Sequence, residues 1–205
     1  MATWTPPLPA DSTKAIELKP DFADAYFNRG GIYGLKGLHD QAIADLTKAI
    51  DLKPGFVEAH LLRGIEYDNK KLYDQALADL TKVLELKSDF ADAFVNRGNI
   101  YGLNGLYDQA ISDSTKVIQL KPNDAIGYKN RAWNYHLAGR DAEGLPDANQ
   151  AGSLAPDDAG TIETRAEIFE KLGQRDKAIA DYRQSLLLDA SMKRALEGLK
   201  RLDVN

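Results

Sequence analysis

No cysteine occurs among the 205 residues. Disulfides, thiol nucleophiles and thiolate metal sites are thereby excluded, while the compartment stays open, because a cysteine-free chain suits any redox poise. Histidine is scarce as well. His39, His60 and His136 fall at unrelated places, and no Ser, His and Asp set or glycine-rich phosphate loop accompanies them. The expectation is a protein with no catalytic centre, no metal and no cofactor. Lys and Arg number 26 against 31 Asp and Glu, the formal net charge is -5, and the bases stand singly. A chain without a basic stripe has no electrostatic footprint for a phosphate backbone, so nucleic acid is not an expected partner. No apolar run approaches the roughly 20 residues that cross a bilayer. Residues 1–10, MATWTPPLPA, have neither the charged start nor the apolar core of a signal peptide. The expected setting is soluble and cytoplasmic, with no membrane partner.

What the chain has is a period. Pro20, Pro54, Pro122 and Pro156 stand 34 residues apart or at multiples of that step, and Ser88 and Ala190 fill the same slot where proline is missing. The segment from Ala23, ADAYFNRGGIYGLKGLHDQAIADLTKAIDLKPGF, is nearly repeated from Ala91, and further copies begin at Val57, Ala125 and Ala159. Within one copy, Asp21 with a carboxylate three residues on predicts a helix N-cap, and Pro20 cannot continue the helix before it. Tyr26, Gly30 and Tyr33 recur at helical spacing until Gly37, a left-handed stop. Asp40 is expected to cap a second helix, whose stripe of Ala42, Ile43, Leu46, Ala49, Ile50 and Leu52 ends at Pro54. Gly30 and Ala42 are small so that the two helices can approach.

These positions resemble the tetratricopeptide repeat, whose signature appears as Tyr26, Gly30, Tyr33, Ala42, Leu46, Ala49 and Pro54, and the NRG in the first helix resembles prokaryotic-type arrays. The resemblance implies an all-α fold, a right-handed α-solenoid of antiparallel helix pairs. The expected organisation is an extended tail over 1–10, a half repeat over 11–22, five repeats (23–56, 57–90, 91–124, 125–158, 159–192) and a capping helix over 193–205. The start reads as truncated and the end as finished. In repeat 4, Pro146 and Gly144 predict a second helix that kinks or starts late.

Each first helix carries an arginine, at 29, 63, 97, 131 and 165, and each second helix an aspartate, at 45, 79, 113, 147 and 181, with Asp11 in the half repeat. One reading is a ladder of charge-assisted bridges from each arginine to the second helices on both sides. The other is a row of arginines clamping an acidic peptide, and the fixed partner in every copy favours the ladder.

In the resembled family the inner face of the first helix lines a concave groove. That face offers Asp24, Phe27, Asn28, Gly31 and Leu35 in repeat 1, Glu58, Leu61, Leu62, Ile65 and Asn69 in repeat 2, and Asp92, Val95, Asn96, Asn99 and Leu103 in repeat 3. Repeat 4 presents Lys129, Asn130, Trp133, His136 and Leu137, and repeat 5 turns charged through Glu163, Glu167, Glu170 and Lys171. Asn28, Asn96 and Asn130 share one position and resemble the asparagine ladder that holds a peptide backbone, since an amide is both donor and acceptor. Against this stands a reading in which these asparagines are merely solvated or bond within the neighbouring helix. Trp133 is either an interface anchor or a packing residue against the next first helix.

The expected function is a protein-interaction scaffold that binds an extended peptide or partner segment. Its binding residues are Phe27, Asn28, Leu35, Val95, Asn96, Asn99, Lys129, Asn130, Trp133 and His136, and its acidic rims prefer basic or neutral partners. The alternative is self-assembly into a homo-oligomer through the uncovered half repeat. A third, weaker reading is a domain of a larger enzyme or sensor.

Overall fold

A computed structural model of the chain describes residues 9–203, with side chains from Ser12 onward. The described residues form twelve helices and no strand: α1 (Pro9–Leu18), α2 (Ala23–Leu35), α3 (His39–Leu52), α4 (Val57–Asn69), α5 (Tyr73–Leu86), α6 (Ala91–Leu103), α7 (Tyr107–Leu120), α8 (Ala125–Leu137), α9 (Asp141–Leu154), α10 (Ala159–Lys171), α11 (Arg175–Leu188) and α12 (Lys193–Arg201). They gather into two compact units that divide within α6, between Arg97 and Gly98. In the first unit α1 packs on α2, α2 on α3, α3 on α4 and α4 on α5. In the second, each helix from α7 to α12 packs on the next.

The helices start where the period places them, but their caps differ from expectation. Phe22 and Leu38, not Asp21 and Asp40, occupy the N-cap positions of α2 and α3, and neither makes a side-chain cap bond. Both side chains are partly exposed, Phe22 at 37% and Leu38 at 43%. Asp124 and Asp158 do cap α8 and α10, accepting from the Ile126 and Thr161 amides. The helix α1 begins at Pro9, inside the segment expected to be extended, because proline at the first helical position has no amide to leave unpaired. Residues 1–8 of that expected tail, with Trp4, and the side chain of Asp11 lie outside the described residues. Despite Pro146, α9 starts at Asp141, in register with α7 at Tyr107 and α11 at Arg175.

Small residues set the spacing within each pair. A Cβ on Gly30 would lie 2.9 Å from Leu46 Cγ and 3.3 Å from the Ala42 carbonyl oxygen. Repeat 4 reverses the pair: Ala132 takes the glycine position and Gly144 the alanine position, where a Cβ would lie 3.1 Å from the Ala132 carbonyl oxygen. In the first unit Ala42, Leu46, Ala49, Ile50, Phe56 and Ala59 form a buried cluster flanked by Tyr26, Tyr33 and Leu62. In the second, Ala166, Phe169, Ala178, Tyr182 and Ala195 do the same. Gly37, Gly105, Gly139 and Gly173 turn between helices at φ of 71 to 72°, and Lys71 takes the same left-handed turn at φ 59°.

The arginine register is structural, with one correction. Arg29, Arg63, Arg131 and Arg165 each grip the aspartate of their own repeat in a two-pronged bond, Nε to Oδ2 at 2.6 to 2.7 Å and Nη2 to Oδ1 at 2.8 to 2.9 Å. Toward the preceding second helix the guanidinium meets a threonine hydroxyl, not an aspartate: Thr13, Thr47, Thr81 and Thr115 accept from Arg29, Arg63, Arg97 and Arg131. Carboxylate hydrogen bonding raises these guanidiniums above their ordinary value against the opposing cost of burial. One charge is thus balanced inside one repeat, and a neutral hydroxyl continues the contact without a second buried charge.

Candidate functional site

In the first unit, α2 and α4 lie side by side and leave a cleft of about 390 Å³. Its walls are Phe27, Asn28, Gly31 and Leu35 from α2 and Leu62, Ile65 and Asn69 from α4, all on the face expected to line a groove. Phe27 packs on Phe56 with ring centroids 4.8 Å apart, and Leu35 stands 84% exposed at the mouth. Ile32, Gly34 and Glu66 also line the cleft, and sequence reasoning did not single them out. Glu66 occupies the slot that holds buried isoleucine in repeats 1, 3 and 5 (Ile32, Ile100, Ile168). That contrast was the available signal. The Glu66 side chain is only 9% exposed, and its Oε2 is 2.6 Å from His39 Nδ1.

The asparagines of the expected ladder differ among themselves. Asn28 lines the first-unit cleft. Asn96 donates its amide to the Asp92 carbonyl one turn back at 2.8 Å, a bond within its own helix that neither expectation contained. Val95 beside it is half-buried. In the second unit Asn130 Nδ2 donates to Asn99 Oδ1 at 3.1 Å, so those two amides already pair.

A second cleft, about 460 Å³, opens in the second unit between Lys129, Asn130 and Trp133 of α8, Gly160 and Thr164 of α10 and Arg194 of α12. Trp133 is half-buried there. The Arg194 guanidinium lies 4.4 Å from its ring centroid, and His136 packs on it at 5.3 Å. His136 is not on the cleft floor: its Nδ1 meets Asp141 Oδ1 at 2.6 Å and its ring is largely covered. Lys129 reaches Asp158 at 3.5 Å.

The acids of repeat 5 serve the last helix instead of a groove. Glu163, 1% exposed, accepts from the Ala195 amide at 2.9 Å and pairs with Arg194 at 2.5 Å, which makes it the N-terminal cap of α12. Glu167 meets Arg194 at 3.2 Å, and burial raises its carboxyl above the usual range despite Arg194 and His136. Glu170 accepts from Arg201 at 2.8 Å and from the Tyr182 hydroxyl at 2.6 Å, and Arg201 holds it below the usual range. His60 is buried packing, with Asp79 and the Pro54 carbonyl at its two nitrogens. Among the described residues no group of three or more His, Asp or Glu could hold a metal ion, and no helix is long and apolar enough to cross a membrane.

Stacked antiparallel helix pairs with exposed first-helix clefts define a class, the right-handed all-α solenoid of repeats. Tetratricopeptide repeat matches cover residues 23–56, 57–90, 91–124 and 161–192, more than half of the sequence, and the chain belongs to that family. Solved structures agree in fold. YrrB, described as a TPR protein with an unusual peptide-binding site, matches with a TM-score of 0.75 at 21% identity, over 92% of this chain and 97% of that one. MamA 41-end from Desulfovibrio magneticus RS-1 matches with a TM-score of 0.76 at 19% identity, over 83% and 97%. PilF of Pseudomonas aeruginosa matches with a TM-score of 0.78 at 20% identity, over 88% and 82%. No curated protein matches by sequence. Tetratricopeptide scaffolds generally mediate protein–protein interaction and are typically not enzymes.

Proposed function

We propose that this chain is an interaction scaffold that binds an extended peptide segment of a partner protein on the exposed faces of its first helices. The observation that carries the reading is the first-unit cleft: a formed, largely apolar concavity between α2 and α4 with two side-chain amides, Asn28 and Asn69, on its walls. Such a surface excludes water from an apolar side chain while an amide holds a peptide bond without regard to sequence. Exposed Leu35 beside half-buried Phe27 and Leu62 supplies anchors of the type that dominate binding energy. In the second unit Lys129, Asn130 and Trp133 offer a more polar surface, with Trp133 already partly engaged by Arg194. The YrrB likeness supports the fold and not the ligand.

The test is selection of binders from a random dodecapeptide library by the whole chain, repeated with Leu62→Lys and Trp133→Ala. Enriched sequences that lose binding when Leu62→Lys places a cation in the cleft support the reading. A library that enriches nothing overturns it, and equal binder sets for the native protein and Trp133→Ala remove the second unit from the site. A second reading, self-association through α1, rests on Leu18, which is 77% exposed. A solution mass that falls on dilution, and does so no longer with Leu18→Glu, would support it.

A further inference from the structure

The first-unit cleft is apolar on its walls and anionic at its floor. In a repeat array each copy shows what the fold needs at a position, and at the Glu66 slot repeats 1, 3 and 5 use isoleucine, fully or nearly buried. Glu66 is therefore a departure that costs stability, since burying a carboxylate is unfavourable unless it is paired and bonded. Gly34 makes room for it: a Cβ there would meet the Glu66 carboxylate, so the two residues fit each other. The compensation within the protein is incomplete. His39 engages Oε2, while Oε1 carries no hydrogen bond among the described residues. The carboxylate thus brings unsatisfied acceptor capacity to the cleft.

The surroundings add to the negative charge of Glu66. At the Glu66 end the cleft is lined by the last turns of α2 and α4, where helix dipoles place partial negative charge, and neither turn contains a basic residue. Of the lysines that follow, Lys70 is held by Asp40, and Lys36 and Lys71 are exposed. The second unit shows a neutral form of the same departure: Asn134 replaces isoleucine, faces Gly102, and its buried Oδ1 has no partner.

We propose that the first-unit cleft is a subsite for a lysine or arginine side chain of the partner peptide. Phe27, Leu62 and Ile65 pack along its aliphatic stem and Glu66 pairs with its charged head. Long basic side chains match this arrangement because stem and head have opposite preferences. A purely aliphatic side chain would leave the carboxylate desolvated and half-bonded, and an acidic one would be repelled. The proposal rests on the peptide-binding reading above and sharpens it.

The experiment uses the whole chain. Library selection is expected to enrich lysine or arginine at one fixed position. The selected arginine peptide should lose at least about tenfold in affinity with Glu66→Ile, the repeat's own residue at that slot, and with Glu66→Gln. Its citrulline counterpart, of the same shape but uncharged, should bind weakly to all three proteins. Enriched peptides without a fixed basic position, or an arginine peptide that binds Glu66→Ile equally well, overturn the subsite while leaving peptide binding intact. If the library enriches nothing, N-acetyl-arginine amide is titrated against the methyl resonances of Leu62 and Ile65. Shifts that are absent with N-acetyl-citrulline amide retain the subsite without the groove, and no shift overturns both.

Discussion

Gly34 and Glu66 fit each other across two repeats: the bare Cα of the glycine lies against the carboxylate, and a methyl group there would collide with it. Gly34→Ala makes the Glu66 carboxylate shift, a cost that offsets the gain of about 1 kcal/mol that alanine has over glycine in a helix. In the Glu66→Ala background that cost is absent and the gain should remain. Urea midpoints of the four proteins in this cycle check the coupling, and equal effects in both backgrounds would mean that the two residues do not constrain each other.

Repeat 4 makes a parallel prediction about packing. Gly144→Ala alone places a methyl 3.0 Å from Tyr135 Cβ and 3.1 Å from the Ala132 carbonyl. The expected loss is about 1 to 3 kcal/mol. Adding Ala132→Gly recreates the arrangement of Gly30 and Ala42 and should recover most of it, as thermal unfolding of the single and double variants would reveal.

Arg131 and Asp147 share a two-pronged bond at 2.6 and 2.8 Å with the aspartate 9% exposed. Replacing only the arginine leaves a buried carboxylate without its partner, so Arg131→Leu should cost on the order of 3 to 5 kcal/mol. Arg131→Leu with Asp147→Ala should cost less than the single change. A single variant with an unchanged urea midpoint would mean that the arginines serve a ligand instead.

The last helix should loosen in acid. Arg201 lowers the folded-state carboxyl of Glu170 below its unfolded value, so this contact stabilises above the ordinary glutamate value, about 4.3, and is lost as pH falls through the lowered one. Glu167 has the opposite sign: burial raises its carboxyl, and protonation relieves that cost as pH falls. Protection factors of α12 amides, which take out the intrinsic slowing of exchange in acid, should therefore fall at low pH in the native protein, and Glu170→Gln should flatten that change. An identical pH profile in the variant would rule out the Glu170 contact as its cause.

Arg194 covers the face of Trp133 at 4.4 Å. In a Trp4→Phe background, where Trp133 is the sole tryptophan, Arg194→Ala should shift its fluorescence to longer wavelength as water reaches the ring. An unshifted spectrum would show that the guanidinium does not shield it.

Much of this was legible because repetition prints the fold's requirements five times. The helix starts, the glycine turns and the aspartate partner of each arginine follow from positions that recur. Glu66 was harder to read. Its slot is one of many that vary, and only burial shows that this variation lies inside the protein instead of on its surface. The same holds for Glu163 and Glu167, which stand on the register of groove residues but meet α12, because a residue on a first-helix face touches whatever first helix follows it. Where that neighbour is a charged terminal helix, acids become caps and ion pairs.

The sequence by itself determined the helix pairs and their period, since helical spacing, small contact residues and stops are local properties of the chain. The tertiary structure alone decided which side chains on those helices are open to a partner. Exposure and pairing depend on neighbours far along the chain, such as Gly34 for Glu66 and Arg194 for Trp133, whose distances no spacing rule contains.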